Sequence, residues 1–277
     1  MGMRISTNTA AINAQRTLVT SQREIGKSMS QLASGSRINK AADDAAGLAI
    51  SENLKSQIRS LSQASRNAND GISMVQTAEG GLSEISNILV RMRELGVQSA
   101  SDTVGDKERG FLDKEVQQLK SEMQRITQTT KFGTTKLIDG SGDKFDFQVG
   151  IGNDSEADRI SFNASETNAT IDNLGVAGFD FSSKEGAQEA LAQIDTAQTE
   201  VNGFRAGLGA LQNRLQSTSD NLGVQHENIS AANSRIRDTD VAAASADMTR
   251  ANILLNANTT VLSQANSIPN AAMKLIG

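Results

Sequence analysis

The sequence predicts a mainly α fold: a long antiparallel coiled-coil helical bundle carrying a small β-hairpin, with the chain termini forming a second coiled-coil domain. Three observations lead there. Apolar residues recur at spacings that alternate between three and four in several separate segments, which lays them on one stripe of a helix and suits a coiled-coil seam. One intervening segment switches to a period of two, as strands do. The 277 residues include one Pro, 8 Phe and no Cys, Trp or Tyr, so helices meet few obligatory breaks while disulfides and a thick aromatic core are ruled out.

The first long stripe runs Leu54, Ile58, Leu61, Ala68, Ile72 and Val75, then continues after a phase shift near Gly80 and Gly81 as Leu82, Ile85, Leu89 and Met92. It predicts one helix over residues 44–100, on the order of 80 Å long. A turn rich in Gly and Asp follows over 101–110, and the stripe Leu112, Val116, Leu119, Met123 and Ile126 predicts an antiparallel return helix. Phe145, Phe147, Val149 and Ile151 then alternate with polar residues, Ile160 and Phe162 do so again, and the turn residues at 152–156 between them predict a hairpin near 144–163. Five of the 8 Phe lie over 145–181 and suggest a small local core distinct from the bundle. The third stripe is the most regular: Val201, Phe204, Leu208, Leu211, Leu215, Leu222, Ile229, Ala232 and Ile236, with Thr218 and Gln225 filling two seam positions where polar side chains fix register.

The ends behave differently. Residues 1–34 carry apolar residues seven apart in two rows, Ile5, Ile12, Val19 and Leu18, Ile25, Leu32, while 241–276 carry Val241, Met248, Leu255, Leu262 and the tail Met273, Leu275, Ile276. These are thin stripes on helices rich in Ala, Asn and Ser, too thin to be secure alone. They are expected to pair with each other, to pack more firmly against other copies, and to fray in the free monomer. The expected division is a terminal coiled-coil domain of residues 1–43 and 237–277 and a rod-like domain of residues 44–236. The expected subunit interface comprises Ile5, Ile12, Val19, Leu32, Leu255, Leu262, Leu275 and Ile276.

Other functions lack their chemistry. Lys plus Arg (27) against Asp plus Glu (32) gives 27 − 32 = −5, so no basic field offers itself to a nucleic acid. No window approaches the run of roughly 18 apolar residues of a membrane span, and the first residues lack the apolar core of a cleavable signal peptide. Asp43 and Asp44 are adjacent, do not share a helix face, and suit the positive end of a long helix better than a metal or catalytic pair. His226 is the only histidine and stands beside the apolar positions of its helix; with no HExxH, no phosphate loop and no nucleophile with a base, no catalytic, metal or cofactor site is expected.

Five segments carry a resemblance. SGSRINKAADDAAGL at 34–48, QASRNANDGISMVQTAE at 63–79, RMRELGVQSA at 91–100, SRIRDTDVAAASADMTRANIL at 234–254 and VLSQANSIPNAAMKLIG at 261–277 closely resemble, in order, segments of bacterial flagellins. The resemblance implies a secreted subunit, exported unfolded through the flagellar type III apparatus, that polymerises into the filament used for motility. Its implied partners are copies of itself, an export chaperone at the C-terminal segment around Leu254, Leu255, Val261 and Leu262, and the hook-associated and cap proteins. Only the segment 164–200 separates the hairpin from the third stripe, so the outer variable domains of larger flagellins are absent. The alternative within flagella is a hook-filament junction protein, but such proteins show a Pro after the paired aspartates, where this chain has Ala45, Ala46 and Gly47. Arg91, Leu95 and Glu115 match the positions by which flagellins engage the animal innate receptor. Arg91 and Leu95, four apart, share a helix face, and Glu115 is placed to lie beside them on the return helix.

Overall fold

The computed structural model describes residues 7–276, with side chains as far as Ser267. In chain order the elements are α1 (Thr9–Ser34), α2 (Ala45–Ser99), α3 (Asp106–Thr129), β1 (Lys131–Phe132), β2 (Thr135–Lys136), β3 (Lys144–Gln148), β4 (Arg159–Asn163), a 3-10 turn (Ala164–Glu166), α4 (Lys184–Arg237) and α5 (Val241–Ile276). The chain divides into two compact units, one of residues 1–57 and 228–277 and one of residues 58–227, so the boundaries fall inside α2 and α4.

In the unit of residues 58–227 the apolar stripes of α2, α3 and α4 become one core. Val75, Leu82, Ile85, Leu89 and Met92 of α2, Val116 and Met123 of α3, and Val201 and Leu215 of α4 are wholly buried. β3 and β4 pair antiparallel with Phe145 opposite Phe162 and Phe147 opposite Ile160. Their inward residues Ile160 and Phe162 join that core, as do Leu174, Val176, Phe179 and Phe181 from the strap that leads to α4. The phenylalanines therefore do not build a separate core as the sequence suggests; they close the bundle. The strap is tied down by Asp113, whose Oδ1 accepts from Phe181 N at 3.1 Å, and by Ser99, whose Oγ donates to Phe181 O at 2.8 Å.

Two further details differ from expectation. β1 and β2 form a second antiparallel pair turning through Gly133 at φ 62°, a conformation that glycine adopts without strain. Gln225 is exposed and bonds Asn221 on its own helix, and Thr218 bonds the Arg214 carbonyl, so neither reaches across the seam. Polar contacts between α2 and α4 come instead from Gln198 Nε2 donating to Ser86 Oγ at 2.7 Å and Arg93 donating to Asp195 at 2.7 Å.

In the terminal unit α1 and α5 run antiparallel, with Cα atoms approaching within 8 Å. Small residues permit this. Ala14, Ser21 and Ser28 are buried on α1 and alternate with half-buried Leu18, Ile25 and Leu32; Ala244, Ala251 and Ala265 are buried on α5 and alternate with half-buried Met248, Leu255 and Leu262. Two amides bridge the pair, Asn8 Nδ2 to Ala265 O at 2.8 Å and Asn258 Nδ2 to Ser21 Oγ at 3.3 Å. At one end of the pair, α1 stops at Gly35 with φ 69°, Arg37 N donates to Arg237 O at 2.6 Å and Thr239 N to Gly35 O at 2.9 Å.

Candidate assembly surface

A helix with two apolar rows can turn only one of them into a two-helix seam. On α1 the seam takes Leu18, Ile25 and Leu32, and the other row points out: Ile12 is 51% exposed and Val19 is 46% exposed. On α5 the seam takes Leu255 and Leu262, while Leu254 and Val261, also seven residues apart, are 44% and 55% exposed. Ile253, Val241 and Met29 lie exposed on the same pair. Scattered exposed apolar residues are ordinary, whereas aligned rows on both helices of a thin pair make this face a candidate interaction surface.

The expected interface residues therefore fall into two groups. Ile12 and Val19 are exposed, whereas Leu32, Leu255 and Leu262 are half-buried within the chain's own seam. Ile5 and the side chains of Leu275 and Ile276 lie outside the described residues. Leu254 and Val261 were legible as apolar residues, yet only the seam azimuth, which small Ala and Ser set, shows that they face outward.

Of the three residues matched to receptor contact, two come together. Arg91 Nε and Nη2 both donate to Glu115 Oε1, at 3.0 and 2.8 Å, and Nη1 donates to Glu94 Oε2 at 2.9 Å. The Glu94 and Glu115 carboxylates hold the guanidinium proton more firmly than usual. Leu95 is 1% exposed and belongs to the core, because it extends the α2 stripe inward.

The paired aspartates serve the backbone. Asp44 Oδ1 accepts from Gly47 N at 2.8 Å at the start of α2, and Asp43 Oδ2 accepts from Lys40 N at 2.9 Å and Asn39 N at 3.1 Å. His226 is half-buried on α4. Among the described residues no group of three or more His, Cys, Asp or Glu is placed to hold a metal, and no helix is long and apolar enough to cross a membrane.

Residues 5–143 match the bacterial flagellin N-terminal helical region, and residues 191–276 match the bacterial flagellin C-terminal helical region. The chain belongs to the bacterial flagellin family. It is similar to a flagellin of Halalkalibacterium halodurans, 44% identical over 99% of this chain and 100% of the relative. A flagellar filament core protein of Brachyspira hyodysenteriae is 40% identical over 99% of this chain and 100% of that relative. The crystal structure of Bacillus cereus flagellin superposes with a TM-score of 0.51 at 30% identity, covering 61% of this chain and 94% of that one. As a flagellin, the chain is a structural subunit that polymerises with copies of itself into the flagellar filament, an exported, extracellular polymer; the flagellin relatives do not favour the junction-protein alternative.

Proposed function

We propose that this flagellin assembles through the rows left outside the α1–α5 seam, Ile12 and Val19 on one helix and Leu254 and Val261 on the other, and that it carries no catalytic activity. The observation that carries this reading is the exposure of both rows on a pair whose own seam alternates small Ala and Ser with half-buried Leu, Ile and Met. Burying such rows against neighbouring copies removes apolar surface from water at about 25 cal/mol per Å². The terminal coiled coil is thus the assembling part, and the helical rod is the part displayed.

Other partners follow from the same surface. Before assembly the row containing Leu254 and Val261 is open to premature association, which supports an export chaperone that covers this C-terminal segment. Hook-associated and cap proteins, the further partners implied by the family resemblance, would meet the same rows at the filament ends. For the innate receptor, the Arg91 and Glu115 pair offers the accessible contact, while Leu95 acts through the core beneath it.

The test is deletion. Chains lacking residues 1–30 or 250–277 should form no filaments by electron microscopy while the α2–α3–α4 bundle keeps its helical circular dichroism. Filaments from a doubly deleted chain would refute the reading.

A further inference from the structure

With no Cys, Trp or Tyr in the chain, the methionine thioethers are its readily oxidised groups. Burial separates them sharply. Met92 and Met123 are wholly buried, Met74 is 2% exposed and Met248 is half-buried in the α1–α5 seam, whereas Met29 on α1 is 63% exposed. Met1, Met3 and Met273 lie outside the described side chains.

Met29 also stands on the assembling side of α1. Ile12 and Val19 lie seven residues apart, and the next seven-residue step falls on Gly26, where an added Cβ would meet open space. The outward row therefore runs into bare backbone, and Met29, three residues on and adjacent to Gly26 on the helix surface, is the next exposed large apolar side chain after Val19. An unbranched thioether suits that position, because its three rotatable bonds let it follow the contour of a neighbouring copy. Its sulfur is open to an oxidant only while that neighbour is absent.

We propose that Met29 is a redox-sensitive site: oxidation of its thioether by a peroxide in the free subunit blocks polymerisation, and reduction of the sulfoxide restores it. In the forward step a sulfur lone pair attacks one peroxide oxygen and the O–O bond breaks. Sulfur gains an S=O bond and loses two electrons, and hydrogen peroxide leaves as water. In the reverse step a dithiol returns two electrons, becomes a disulfide and takes the oxygen away as water. The sulfoxide oxygen is a strong acceptor, and an apolar contact with a second copy offers it no donor, so the oxidised side chain resists burial. The inference rests on the assembly reading above and adds a chemical control to it.

The test treats the full-length monomer with hydrogen peroxide and maps the oxygen additions by peptide mass spectrometry. Met29 should oxidise ahead of Met74, Met92, Met123 and Met248, and the critical concentration for filament growth should rise about tenfold, the size of effect expected when a buried acceptor goes unpaired. Methionine sulfoxide reductases for both sulfoxide epimers, supplied with a dithiol, should return it to the untreated value. Met29→Leu keeps volume and apolarity at an exposed site and should polymerise normally both before and after peroxide, while Met29→Gln should show the raised critical concentration without any oxidant. Filaments treated after assembly should gain oxygen at Met29 more slowly than monomer does. Equal rates in filament and monomer, normal growth of the Met29-oxidised chain, or equal loss of growth in peroxide-treated Met29→Leu would each overturn the proposal. The terminal deletions judge the assembly reading separately: a chain that needs its termini yet grows normally with Met29 oxidised keeps that reading and loses this one.

Discussion

Gln198 Nε2 on α4 donates to Ser86 Oγ on α2 at 2.7 Å, and both lie in a seam whose neighbouring members, Leu82, Leu89, Ile194 and Val201, are buried apolar residues. Ser86 is 7% exposed, so its hydroxyl has little access to water. The pair marks one alignment of two helices whose apolar repeats tolerate others.

Ser86→Ala should leave the Gln198 amide buried without its acceptor and cost about 1–3 kcal/mol, whereas adding Gln198→Leu should recover much of that loss. Urea unfolding of both variants checks it. A Ser86→Ala loss below about 0.5 kcal/mol would mean that the amide finds another partner.

Leu215 is wholly buried and Leu211 is half-buried on the same helix. Leu215→Ala should therefore destabilise the bundle by about 2–5 kcal/mol, and Leu211→Ala by clearly less. Denaturant midpoints at constant m-value read the difference, and equal losses would place the seam on the wrong azimuth.

Acid should loosen the loop before α2. Backbone N–H groups of Lys40 and then Asn39 hold the Asp43 carboxyl below its ordinary range. Because the folded-state value is depressed, the stabilisation is full above the ordinary carboxylate range and is lost as pH falls through the folded value. Asp43→Asn should make the terminal pair less sensitive to acidification, measured by circular dichroism melting between neutral pH and the carboxylate range. An unchanged acid slope would show that this carboxylate does not control it.

The terminal pair is helical here, yet its seam offers mainly Ala, Ser and half-buried Leu and Ile, in contrast to the wholly buried Leu, Ile and Met of the bundle. Amide exchange on the monomer should accordingly be faster in α1 and α5 than over residues 201–236, since thinly packed elements open locally at lower cost. Equal protection would mean that the pair is stable without neighbours.

Much of this was legible in the sequence because periodicity is a local property. The stripe through Leu82, Ile85 and Leu89 predicts a helix over residues 44–100, and the structure has Ala45–Ser99. The alternation of Phe145, Phe147 and Val149 predicts the hairpin that β3 and β4 form. What hydropathy did not reveal was which row of a terminal helix turns inward. The seam is chosen by Ala14, Ser21 and Ser28, small side chains that let backbones approach but carry little apolar signal, so Ile12 and Leu32 read alike until the partner helix is in place. The β1–β2 pair escaped because two residues per strand show no period, and the depth of Leu95 escaped because sharing a helix face with Arg91 does not say how deep the residue sits.

The central claim is that the outward rows, rather than the seam, drive polymerisation. It is tested most directly by replacing Ile12, Val19, Leu254 and Val261 together with Ser, leaving every seam residue in place, and following filament growth by light scattering and electron microscopy. The account predicts a monomer that retains the helical content of the unaltered chain and forms no filaments at concentrations where that chain polymerises. Filaments of normal length and yield from the fourfold variant would contradict it.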